Sequence, residues 1–120
     1  MSPAARSVLA FTVYLWVIGA ILVLAPNVLL SLFGIPETHE VWVRVVGMLA
    51  LLLGYYYQGA AREESTTFMR RTVYARLCAS AFFLAFVLLK LAPPVLIVFG
   101  GVDALAATWT AVALRAGKAS

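Results

Sequence analysis

Charge is scarce in this sequence. Only 12% of its 120 residues are Asp, Glu, Lys or Arg, while 64% are hydrophobic; soluble domains carry about 25% charged residues. A chain this short has too little interior to hide so much apolar surface from water. That excludes an ordinary soluble domain and makes lipid part of the solvent. Cysteine is nearly absent: Cys78 stands alone, so no intramolecular disulfide and no cysteine-built metal cluster can form. Lying within an apolar run, it reads as a small packing residue. His39 is the one histidine, flanked by Glu37 and Glu40. In a loop this group reads as solvated, with a weak outward-facing metal or proton site as the alternative. No haem-ligand pair, Cys-X-X-Cys, phosphate-binding glycine loop or nucleophile elbow occurs, so no catalytic residue, metal site or cofactor is assigned.

What is present is apolar length. A membrane crossing takes about 20 mostly apolar residues, and four stretches reach it, at about residues 7–26, 40–61, 72–91 and 93–114. The first carries no charge. It resembles a signal peptide in following Arg6, but its apolar run is too long and Leu24-Ala25 is followed by Pro26, a poor cleavage context, so it reads as a retained helix. Residues 27–36, with Val28, Leu29, Leu30, Leu32 and Phe33, are too few to span and are expected to lie in the membrane interface. Pro36 with Glu37 and Glu40 suits the opening of the second helix. Residues 62–71 form the one clearly polar loop, with Ser65, Thr66 and Thr67 as candidate caps for the third helix. Pro93 and Pro94 stop one helix and start the next. The expected fold is therefore all-α: a single-domain polytopic membrane protein, an antiparallel four-helix transmembrane bundle with membrane lipids as its surroundings.

The distribution of basic residues gives a direction. With the N-terminus in the cytoplasm, Arg6, Arg62, Arg70, Arg71, Arg76, Arg115 and Lys118 fall on or near the inner side, and only Arg44 and Lys90 fall outside. Seven against two follows the positive-inside rule and places both termini in the cytoplasm. The same scatter argues against nucleic acid as a partner, since no basic face is assembled.

Asp103 is the residue least suited to lipid. It lies ten residues past Pro93 and eleven before Leu114, near mid-membrane, where a charge costs about 2.5–3.5 kcal/mol on insertion scales. It is expected to face the bundle interior, paired or protonated. Gly100, Ala106, Ala107 and Thr110 share its face, which allows close helix packing. Arg44 and Arg76 are the candidate partners, each roughly 9–10 Å from its depth by helical rise, with Arg44 the more persuasive. Arg44 belongs to a stripe of polar and small residues spaced by three and four: Glu40, Arg44, Gly47, Leu51, Gly54 or Tyr55, Gln58 and Arg62. Arg76, Ala79, Ser80 and Phe83 form a shorter stripe, and Thr12, Trp16, Gly19 and Val23 a milder one. Three readings stand. The polar residues and the packing positions Gly47, Gly54, Gly100 and Ala107 hold a bundle together; or the stripe lines a site or pathway for a small lipophilic or anionic molecule; or it meets another copy of the chain in a homodimer or a larger membrane complex. Tyr55, Tyr56 and Tyr57 point three ways and read mainly as an interfacial aromatic belt, as do Trp42 and Trp109. Trp16 lies deeper and is expected to pack between helices.

The stretch from Pro26 to Arg62, with Leu32-Phe33-Gly34-Ile35-Pro36, Trp42-Val43-Arg44-Val45-Val46-Gly47 and Gly54-Tyr55-Tyr56, resembles a pattern in small uncharacterised bacterial inner-membrane proteins. In helix count and size the layout resembles DoxX-like four-helix proteins. The resemblance covers about a third of the chain and implies a bacterial inner-membrane location without an activity. Small multidrug-resistance transporters share the length and helix number but depend on a glutamate in the first helix, which is missing here. The phenylalanine and threonine motifs of fluoride channels are missing as well.

Overall fold

Each helix boundary has a local chemical cause. In this computed structural model, which describes residues 1–119, the elements in chain order are α1 (Pro3–Leu24), α2 (Pro26–Leu32), α3 (Val41–Arg62), α4 (Thr66–Leu88) and α5 (Leu96–Ala119). The side chain of Lys118, counted among the inner cations, lies outside the described residues. Ser2 opens α1 by accepting the Ala5 N–H on its hydroxyl at 3.1 Å, and Pro3 follows where a missing N–H costs nothing. Ser65 caps α4, accepting from Phe68 N–H at 3.4 Å. Three helices end in the same way. Gly34, Glu64 and Lys90 each take a left-handed φ, of 69°, 54° and 62°. The next residue's N–H then reaches back five places, as in Ile35 to Leu30, Ser65 to Ala60 and Leu91 to Phe86, at 2.8–3.0 Å. These are Schellman closures, which satisfy the last carbonyls of a helix.

All the regular structure among the described residues is helical, and α1, α3, α4 and α5 are each long and apolar enough to cross a membrane. At 22–24 residues they rise about 33–36 Å, against roughly 30 Å of hydrocarbon. Several boundaries differ from expectation: α1 starts at Pro3, four residues early, while α4 stops at Leu88 and α5 starts at Leu96, leaving Pro93 and Pro94 in the connection. Residues 66–71 are the first turns of α4 and not loop, because the Ser65 cap starts the helix before the apolar run does. Residues 36–40 precede α3, so Pro36, Glu37 and Glu40 lie outside its first turn. There Asn27 pins the connection with two hydrogen bonds to Thr38, its amide donating to the carbonyl at 3.0 Å and its oxygen accepting the N–H at 2.9 Å.

The chain divides into two compact units, one of Met1–Val8 with Ala60 onward and the other Leu9–Gly59. In the second, α1 and α3 run antiparallel at backbone contact. A Cβ placed on Gly47 would stand 2.7 Å from the Gly19 carbonyl oxygen and from Leu22 Cβ; one on Gly19 would stand 2.8 Å from the Gly47 oxygen. Further along the pair, Gly54 receives the indole of Trp16, and Phe11 stacks near Tyr57 with ring centroids 6.0 Å apart. In the first unit, Ser80 donates to the Gly100 carbonyl at 2.7 Å and Arg76 reaches Thr110, so α4 and α5 are antiparallel too. Gly100 lies under Phe83, whose Cβ would be 3.3 Å from an added methyl.

Large and small side chains are distributed inside-out relative to a soluble protein. The buried positions are mostly Ala, Gly, Ser and Thr, while Val17, Leu52, Phe82, Leu105 and Val112 are exposed. Lipid tails offer no hydrophobic reward for burying leucine, so helices associating in lipid gain by close approach of small residues.

Two outcomes follow. Gly47→Val, with no room against the Gly19 backbone, is expected to cost about 1–3 kcal/mol. Gly59→Ala, which meets open space, is expected to be neutral or stabilising by up to about 1 kcal/mol. Unfolding titrations in mixed micelles check this, and equal effects at the two glycines would rule out the close contact. At the polar end, Ser2 holds the Glu64 carboxyl below its usual range, through its hydroxyl and through a backbone N–H at 2.7 Å. With a depressed folded pKa, this clip is complete above the ordinary carboxylate value of about 4.3 and is lost as pH falls through the lower folded value. Faster exchange of the first α1 amides in that acid window checks it, and Glu64→Gln should remove the pH dependence.

Candidate functional site

Among the described residues Arg76 is the charge the fold buries. It sits on α4, nearly three turns inside the helix start, with 2% of its surface exposed. A helical side chain leans toward its helix's N-terminus, and Arg76 does so. Its Nε donates to the Thr72 carbonyl at 3.1 Å, and one terminal nitrogen donates at 3.0 Å to both the Thr72 and Thr110 hydroxyls. Counting hydrogens then orders the rest of the network. Ser7 and Thr110 hydroxyls are 2.7 Å apart, and Ser7 gives its hydrogen to the Ala4 carbonyl at 2.7 Å. Thr110 must therefore donate to Ser7 while accepting from Arg76. On the other arm Thr72 accepts from Arg76 and donates to the Met69 carbonyl at 2.7 Å. Every hydroxyl gives once and receives, and the guanidinium charge is passed to backbone oxygens on α1 and α4. Such chains reinforce each link where the dielectric is low.

Asp103 lies half-buried on α5 and feels the field of Arg76. The guanidinium hydrogen bonds above go to threonines. Thr110 is seven residues beyond Asp103, about 10 Å along the helix. Because α4 and α5 are antiparallel, their side chains lean in opposite senses, Arg76 toward the α4 start and Asp103 toward the α5 start. Residues at matched depth on such helices lean apart. Among the described residues nothing donates a hydrogen bond to the Asp103 carboxylate. Ala107 and Gly100, expected as packing positions, are buried on the same face.

The remaining candidates belong to the other unit. Arg44 is exposed and donates to the Val23 carbonyl at the end of α1, a cation on the negative end of a helix. Gly47 and Gly54 face α1 as described. Glu40 and Tyr55 are exposed and Gln58 is half-exposed. Tyr55 and Tyr56 meet edge to face at 5.9 Å, while Tyr57 is buried. His39 Nε2 lies 3.3 Å from Glu37 Oε1, both in the open.

Ser7 and Thr72 were absent from the residues singled out on the sequence. Thr72 carried a signal, standing four residues before a buried arginine on one helix face. Ser7 carried none, since its partner is 103 residues away. No family model matches the chain, and no curated protein or solved structure is significantly similar to it.

Thr110→Val keeps the shape and removes the relay, and is expected to cost about 1–3 kcal/mol by leaving Arg76 short of an acceptor. Ser7→Ala should then cost at least about 0.5 kcal/mol less in the Thr110→Val background than alone. A double-mutant unfolding cycle measures this, and strict additivity would show that Ser7 and Thr110 act separately.

Proposed function

We propose that this chain is an integral membrane protein of the bacterial inner membrane that binds a small or lipophilic molecule at the Asp103 side of its buried polar cluster. α1, α3, α4 and α5 cross as an antiparallel four-helix bundle, with the start of α1 and the end of α5 in the cytoplasm. The exposed large apolar residues on all four helices support the membrane setting, and the basic residues near residues 62–71 and at Arg115 support the orientation.

One observation carries the site: Asp103 is a half-buried carboxylate midway along α5 that feels the field of Arg76 while receiving no hydrogen bond from a described residue. Ionisable residues inside a membrane are costly and are retained where they act. An acceptor without a donor selects a ligand that carries one, a hydroxyl, amine or amide on a lipophilic body. Binding is the claim, and passage across the bilayer is its extension if the site opens to both sides in turn.

A second reading, an accessory or scaffold subunit, is favoured by the Arg76 network itself. It ties α1, α4 and α5 with hydroxyl and guanidinium hydrogen bonds, and leaves the long helices' outer faces free for a larger assembly or for a second copy.

The lipophilic carboxyl reagent dicyclohexylcarbodiimide separates the two. The binding reading expects a single adduct on Asp103 in membranes, absent in Asp103→Asn, with unchanged melting of that variant. No adduct on Asp103 in a folded wild-type protein would mean a closed interior and would leave the scaffold reading.

A further inference from the structure

A second feature lies beside the hydroxyl network, on an adjoining face of α4 and α5. Arg70, Val73, Tyr74 and Leu77 recur at spacings of three, four and seven, giving α4 a face distinct from that of Thr72 and Arg76. Together with Ala107, Thr108, Ala111, Val112 and Arg115 they wall an open-sided groove of about 550 Å³. The antiparallel pairing brings Arg70, near the start of α4, and Arg115, near the end of α5, to the same end. From them the groove runs seven to eight residues inward, about 10–12 Å along the helices, and beyond the arginines it is mainly apolar. No acidic residue lines it.

We propose that this groove holds one anionic phospholipid, with its phosphate between Arg70 and Arg115 and an acyl chain running inward past Tyr74, Leu77 and Val112. The inference rests on the membrane reading above and on the orientation that places these arginines at the cytoplasmic surface. Charge complementarity selects the occupant. Two guanidinium groups at one mouth match a phosphate, which arginine binds with paired N–H donors. The apolar run that continues from that mouth matches a chain attached to the phosphate, and a free anion has no use for it. Arg71 is the internal contrast. It is one residue away, fully on the outside of α4, and does not line the groove. General attraction of a basic protein for an anionic leaflet would involve Arg71 as much as Arg70, whereas a built site would not.

The test uses the full chain in nanodiscs of mixed phosphatidylglycerol and phosphatidylcholine, after an alkaline wash of its host membranes. Native mass spectrometry then counts retained phosphatidylglycerol. At about 1 kcal/mol per cation near an anionic surface, R70Q and R115Q should each weaken retention about fivefold, and together roughly thirtyfold. R71Q should leave it within about twofold. Equal losses for R71Q and R70Q, or phosphatidylcholine retained as well as phosphatidylglycerol, overturn the site. A phosphatidylglycerol with a photoreactive acyl chain decides the matter in the wild type, even if the arginine variants fail to fold. Adducts concentrated on Tyr74, Leu77, Thr108 and Val112 support the groove, and adducts spread over Phe82, Leu105 and the other exposed faces overturn it. Release of the chain by the alkaline wash would instead overturn the membrane reading beneath it.

Discussion

A guanidinium held away from solvent is the constraint around which the first unit is organised. A buried guanidinium requires acceptors, and those that Arg76 finds are hydroxyls and a carbonyl. Thr72 supplies both from one turn below. Thr110 supplies the third from α5 and passes the polarisation through Ser7 to α1. Removing any one of these leaves a cation underserved in a medium that penalises it. The buried polar groups and the packing are therefore one system: the small residues Ala4, Ala5, Ala107 and Ala113 let three backbones come close enough for short hydroxyl links.

The second unit meets the same demand without charge. There the contact is backbone to backbone at Gly19 and Gly47, with Trp16 filling the notch at Gly54. Arg44 serves as a cap on the end of α1. The stripe read along α3 thus holds two kinds of residue. Its glycines make the interface with α1, and its polar members Glu40, Tyr55 and Gln58 lie at or near the surface of the molecule.

What was legible in the sequence was whatever has a long period or a strong local chemistry. Four apolar runs of spanning length appear as four helices, and Ser65 caps as its hydroxyl suggests. Helix ends were less legible, because hydropathy marks where lipid begins and not where hydrogen bonding stops. α4 therefore starts well before its apolar run. The left-handed closures at Glu64 and Lys90 carried no glycine to announce them. Arg76 and Asp103 were legible as anomalies, but their relation was not. Helical rise gives depth alone, whereas whether two side chains meet depends on which way each leans, and that reverses between antiparallel helices. Ser7 stood beyond reach because a hydroxyl near the start of a helix looks like filler until residue 110 arrives beside it.

That distance in sequence has a consequence for how the protein is made. A ribosome makes α1 and α4 before α5, so for that interval Arg76 has the two oxygens of Thr72 from its own helix and lacks its third acceptor. The hydroxyl chain closes only when Thr110 has been threaded into place and found Ser7, 103 residues behind it. Closure of this end of the network thus waits on α5, and until α5 arrives Arg76 is short of an acceptor.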